Sequence, residues 1–269
     1  MGASLLYPFT DGPGVVLLIV FPPVLWFLSL PIFDVIAIVE PFTKGNWALG
    51  LLVMPVFLPL LFSFAMTFGY LLLVLGQMLV ASAVGEDDHP RWPEWHPHAI
   101  AEGIGRWIWA AVFGIALGGF PCLLYWMNCG TLDALDWFIL ADLVILGAGY
   151  AEMALAAALL HDTVLAANPV TVVRSMARIG WDYVVPSLVA GVAVMLAAGT
   201  FWVVVFRLPS LRTALFGLWA FWVFLVYAAM VVMRLLGLTY HAHAHALSWF
   251  QQRPRWGTPG RMGRIYSNS

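Results

Sequence analysis

Six runs of apolar residues, each long enough to cross a bilayer, constrain this chain more than any other feature. A hydrocarbon core takes about 20 apolar residues as helix. The runs cover residues 15–39, 47–84, 104–127, 137–160, 183–206 and 211–233. Pro22, Pro23 and Pro31 are expected to break the first. The second is too long for one perpendicular span, so it must tilt, bend near Pro55 and Pro59, or project from the membrane. The sixth is expected to continue as a polar helix to residue 250. Hydrophobic residues make up 62% of the chain and charged residues 10%; an ordinary globular domain is about half apolar and about a quarter charged. The expected fold class is all-α: a polytopic transmembrane bundle of about six spans with cytoplasmic interfacial helices. Residues 1–250 then form a single transmembrane domain, and residues 251–269 a basic, Gly-rich, flexible tail.

Charge sets the orientation and excludes one class of partner. A formal net charge of −2 gives no electrostatic footprint for nucleic acid. With six spans, both termini share a side with the loops after spans two and four. That side carries Arg91, Arg106, Arg174, Arg178, Arg253, Arg255, Arg261 and Arg264, with Arg234 at its edge in position to snorkel. The other side has Lys44, Arg207 and Arg212. This bias predicts cytoplasmic termini. Trp47, Trp107, Trp109, Trp126, Trp137 and Trp181 suit an aromatic belt. The start, MGASLLYPFTDG, has no basic n-region, and Leu6 stands where a myristoylation motif needs Ser or Thr. Neither a cleavable signal peptide nor N-myristoylation is expected. Cys122 and Cys129 would lie roughly 10 Å apart along a helix, beyond the ~7 Å Cα limit of a disulfide, and read as free thiols.

The most polar stretch is GEDDHPRWPEWHPHA, residues 85–99. His89, His96 and His98 stand among acids, but no pair sits at i, i+4 on a clear helix, and the prolines favour an extended path. An ordered interfacial loop, with Trp92 and Trp95 dipping into headgroups, is preferred to a metal site. Its core is Trp92, Pro93, Glu94 and Trp95. There is also a faint repeat. HPHAIAEGIGRWIW laid over NPVTVVRSMARIGW matches Pro97 with Pro169, Arg106 with Arg178 and Trp109 with Trp181, and Gly119 then meets Gly191. The implied unit is a surface helix followed by a transmembrane hairpin, in parallel copies.

Three carboxylates lie within or near apolar runs: Asp34, Asp142 and Glu152. Ionisable groups there are expensive and carry a functional hypothesis by default. Asp142 and Glu152 are roughly 15 Å apart along one helix, so they do not form one compact site. Asp142 is placed just inside the outer boundary. Glu152 is deeper, among small residues that allow close packing. The readings for it are a protonated carboxyl hydrogen-bonded to a neighbouring span, and a proton or ion pathway. Near the C-terminus, YHAHAHALSWF puts His241 and His245 at i, i+4. They are a candidate metal pair, but a solvated helix extension is preferred, and no cofactor is expected. There is no GxSxG, HExxH, P-loop or GxGxxG in a strand–helix context, so enzyme activity has no positive sign.

Gly69-Tyr70-Leu71 followed by Pro93-Glu94-Trp95, with an amphipathic entry into the next span, resembles a prokaryotic multi-pass membrane family catalogued as domain of unknown function 4013. NPVTVVRSMARIGWDYV is similar to that family's second interfacial segment. The resemblance covers roughly residues 64–250. This chain departs from the pattern in its His-Pro-Arg-Trp and its His-rich end. The resemblance implies a multi-pass membrane protein of unestablished function and adds no chemistry; the expected location is the bacterial inner membrane. The function expected is a non-enzymatic structural or assembly component, partnered by membrane lipids and by membrane proteins or further copies of itself. The alternative is a transporter or permease subunit using Glu152, Asp142 and Asp34.

Overall fold

In a computed structural model, the described residues are 7–9, 12–33, 47–85, 92–129, 132–161, 163–207 and 211–247. Asp34, His89 and the 251–269 tail lie outside them. The described residues form helices and no strand. The main helices are α1 (Gly12–Phe33), α2 (Trp47–Val84), α3 (Pro97–Gly114), α4 (Phe120–Asn128), α5 (Ala134–Leu160), α6 (Pro169–Ile179), α7 (Val184–Phe206), α8 (Leu211–Ala242) and the single turn α9 (Ala244–Leu247). A π-helical turn, Ile115–Gly119, joins α3 to α4 in one transmembrane element. Among the described residues, six elements are long and apolar enough to cross a membrane. The chain is an all-α, multi-pass membrane protein.

The six spans form three antiparallel hairpins. The second helix of each hairpin, α2, α5 and α8, turns inward and meets the other two. The first helices, α1, α3 with α4, and α7, stand outside. Over an 18-residue apolar stretch of each span, 67% of residues are buried in α5 and 39% in α8, against 17% in the spans containing α3 and α7; in the first hairpin the order is not kept, with 33% buried in α1 and 28% in α2. A transmembrane helix must satisfy its backbone polar groups internally. The expected break of α1 at its prolines therefore does not occur; it runs on through Pro22 and Pro23 as one helix. The second apolar run likewise forms one 38-residue helix with Pro55 and Pro59 inside it.

Small residues decide how closely the hairpins approach. Gly114 and Gly118 both lie against Gly147 of α5. A Cβ on Gly147 would sit 2.7 Å from the Gly114 carbonyl oxygen and 2.8 Å from the Gly118 Cα. Gly149 faces Ser187 of α7, and Gly191 faces Ile145. Without a hydrophobic driving force between helices in lipid, such backbone approach is the main source of attraction. The π turn precedes Pro121, which has no N–H to offer the Leu117 carbonyl. Polar ties add to the packing of α1 on α8: the Trp26 indole donates to the Leu215 carbonyl at 2.9 Å and the Trp222 indole to Ser29 Oγ at 3.2 Å.

The two halves of the sequence repeat differ in structure. Pro97 and Pro169 each begin a helix. The second copy is a separate amphipathic helix, α6, which ends at Gly180 with φ +66°. The first copy is not separate: α3 continues straight into its span, starting seven residues before the expected entry at residue 104. The second copy can break because Gly180 adopts a left-handed conformation at no steric cost; position 108, its counterpart, is Ile108 inside a helix. The sixth span also departs from expectation. α8 stops at Ala242, and α9 is a new turn rather than its continuation.

Gly147→Ala is expected to destabilise the detergent-solubilised protein by about 1–3 kcal/mol, the usual range for overpacking, because its new methyl meets backbone that cannot move aside. Gly105→Ala, whose added Cβ meets nothing within 4 Å, should be neutral or stabilising by up to about 1 kcal/mol. Thermal unfolding of both variants checks the pair.

Candidate functional site

Three polar features lie toward one end of the bundle, where α2, α5 and α8 finish and α3 and α6 begin. The first is the Pro-Glu-Trp segment. Tyr70 of α2 donates its hydroxyl to the Pro93 carbonyl at 2.8 Å. Its ring lies 5.1 Å from that of Trp95 on one side and stacks on Phe21 of α1 at 6.3 Å on the other. Gly69, the preceding residue, receives Ile100 and Ile104 of α3, whose side chains would have to shift to admit a Cβ there. The two short motifs that the sequence set apart therefore touch. Trp92, Glu94 and Trp95 are exposed, and Pro93 is half-buried. The 3.2 Å contact between His96 and Glu94 is exposed on both sides, so it adds little. This is an ordered segment pinned at its middle, with two tryptophans facing outward.

The second feature is Glu152. It is buried, with 6% exposure, and neither carboxyl oxygen has a hydrogen-bond partner among the described residues. The expected hydrogen bond to a neighbouring span is not formed. Two donors that pack on this part of α5 are already committed elsewhere. Tyr183 lies within electrostatic reach of the carboxyl, but its hydroxyl donates to the Gly149 carbonyl at 2.6 Å. Ser187 Oγ donates to the Tyr183 carbonyl at 3.0 Å. Both donors are thus turned toward backbone. Glu152 is eight residues from the end of α5, about 12 Å at 1.5 Å per residue, so it is in the half of the helix nearer α6 rather than at mid-span. A buried polar group without a partner costs about 1–3 kcal/mol on mutational scales and calls for an explanation.

The remaining candidates do not join this carboxyl. Asp142 is exposed on α5, eight residues from its other end. Arg106, read from sequence only as a topological cation, is 1% exposed and donates to Glu102 at 2.6 Å. The i, i+4 spacing of that pair was visible in the sequence; its burial was not, because nothing local marks which face of α3 meets α5. Arg234, expected to snorkel, instead turns inward. It donates to Ser82 of α2 at 3.0 Å and sits 4.7 Å over the Tyr7 ring.

The histidines near the end of α8 separate as well. The helix break at His243 removes the same-face relation expected of His241 and His245. His241 lies beside Gly85, with Nδ1 3.3 Å from the Ala83 carbonyl oxygen, and His245 is exposed on α9. His243 instead reaches Asp182 at 3.2 Å, tying the end of α8 to the turn after α6. Among the described residues no three His, Cys, Asp or Glu side chains converge.

Toward the opposite end, α7 and α8 frame an open apolar groove of about 780 Å³, lined by Leu196, Gly199, Val203, Phe216 and Gly217 among others. Compared with protein-family models, curated proteins and solved structures, the chain matches none.

Two outcomes test this geometry. Tyr70→Phe removes one hydrogen bond worth about 1 kcal/mol. The thermal midpoint of the solubilised protein should then fall by roughly 2–4 °C. Glu152→Met replaces an unpartnered carboxyl with an apolar chain of similar length and should raise the thermal midpoint by a few degrees. Glu152→Gln should not, since its amide would be equally short of partners.

Proposed function

We propose that this protein is a non-enzymatic structural component of the bacterial inner membrane that organises a membrane complex or the lipid around it. The observation that carries this reading is the belt at the α6 end of the bundle. There Trp92, Trp95, Leu165, Val170, Val173 and Trp181 stay exposed, while the helices inside them are closely packed. Exposed apolar residues gathered in one region of a folded protein mark an interaction surface. The arginine bias supports a cytoplasmic side for this belt and for both termini. The resemblance to the family catalogued as domain of unknown function 4013 belongs to the same proposal, supported by the contact between Tyr70 and the Pro-Glu-Trp segment.

A second reading rests on Glu152. A carboxyl buried without a partner is what a proton or cation pathway would retain against its cost. The two readings separate in one variant. If the protein is structural, Glu152→Met keeps the cellular phenotype of the wild type while gaining stability. If that variant folds, assembles and is more stable, yet behaves in cells as a deletion, transport becomes the better account.

Topology has its own test. With Cys122→Ser and Cys129→Ser in place, Ser267→Cys should resist an impermeant thiol reagent in intact cells and react after permeabilisation. Strong labelling in intact cells would contradict the orientation.

A further inference from the structure

Helix α6 has two apolar faces, and the bundle uses only one. Val172, Ser175 and Ile179 are buried, with Met176 beside them. This face packs on α5 and α9. Nearly opposite, at helical spacing, Val170, Val173 and Ala177 are exposed, at 66% and 57% for the two valines. The exposed stripe is extended by Leu165 before the helix and by Trp181, 87% exposed, after it. Arg174 and Arg178 flank it one turn apart, both exposed. There is no acid within α6; the next one, Asp182, contacts His243. Beyond Trp181, exposed apolar residues recur at helical spacing along α7 as Val184, Leu188 and Val192. That surface belongs to a membrane span and faces lipid.

We propose that α6 is an in-plane lipid-binding helix. Its Val170–Val173–Trp181 stripe lies at the headgroup–acyl boundary, and Arg174 binds the phosphate of an anionic phospholipid. Two observations choose lipid over a protein partner: the stripe leads into the lipid-facing side of α7, and the cation stands at the edge of that stripe, where a headgroup would lie. Basic residues on the polar side and aliphatic and Trp residues on the other define such helices generally. This deepens the structural reading given above by naming the lipid class that one part of the belt takes. It does not depend on any protein partner.

The test uses the full chain with Cys122→Ser and Cys129→Ser, carrying a nitroxide at Val173→Cys or, separately, at Leu188→Cys. Both are reconstituted without other proteins into vesicles of phosphatidylcholine and phosphatidylglycerol. Collisions with oxygen should exceed those with a water-soluble nickel chelate at both sites. Leu188 reporting lipid while Val173 reports water would overturn the proposal and leave the span assignment intact. Failure at both sites would point instead to the membrane fold. Spin–spin broadening at Val173 that grows with protein density would put a second copy on the stripe, and would also overturn it. For the headgroup, native mass spectrometry should show Arg174→Gln retaining phosphatidylglycerol over phosphatidylcholine roughly fivefold less selectively than wild type, the effect of one cation near an anionic surface. Unchanged selectivity would remove Arg174 from the proposal. Inorganic phosphate displacing the lipid at equal concentration would show a free-anion site in its place.

Discussion

The approach of α5 to its neighbours is the contact on which the rest of the bundle depends. From Gly147 to Leu160 this helix is buried on nearly every side, and it can be so only because Gly and Ala leave room. Gly147 admits α3 and the π turn; Gly149 admits Ser187 of α7; Leu159 reaches Gly76 of α2. Lipid competes with protein for every apolar side chain in a membrane, so burial alone does not drive helices together. Close backbone contact and a few polar ties do. Larger residues at these glycines would hold the hairpins apart.

Enclosure of α5 also explains the setting of Glu152. The small residues of this segment let helices close around it, and the donors that pack on it, Tyr183 and Ser187, already serve backbone carbonyls. Tyr183 sits at the junction of α6 and α7. The carboxyl thus lies close to the point where α6 gives way to α7. The end of α8 is tied to the same junction through His243 and Asp182.

Much of the architecture was legible in the sequence because hydrophobic length is a direct physical requirement of the bilayer. The six spans, the unbroken extent of residues 47–84 and the start of α7 could be read that way. What could not be read depended on partners in three dimensions. Prolines were expected to break α1, yet neighbouring helices and lipid favour keeping its remaining backbone bonds. Arg106 and Arg234 looked like surface cations, and facing helices bury the first and turn the second inward. Glu152 was visible as an intramembrane carboxylate, but its lack of a hydrogen-bond partner follows from where Tyr183 and Ser187 point. The repeat was legible in its prolines, and its asymmetry came from one residue, Gly180, whose positive φ lets α6 separate from its span.

The central claim is that α5 from Gly147 to Leu160 is sheathed by protein while α3 and α7 face lipid. Footprinting with a carbene precursor dissolved in the bilayer, read by mass spectrometry on the reconstituted protein, tests it directly. The account predicts strong labelling at Ile108, Val112, Leu188 and Val192, and little or none from Met153 to Leu160. Labelling of Ala154–Ala158 at the level of the outer helices would contradict it.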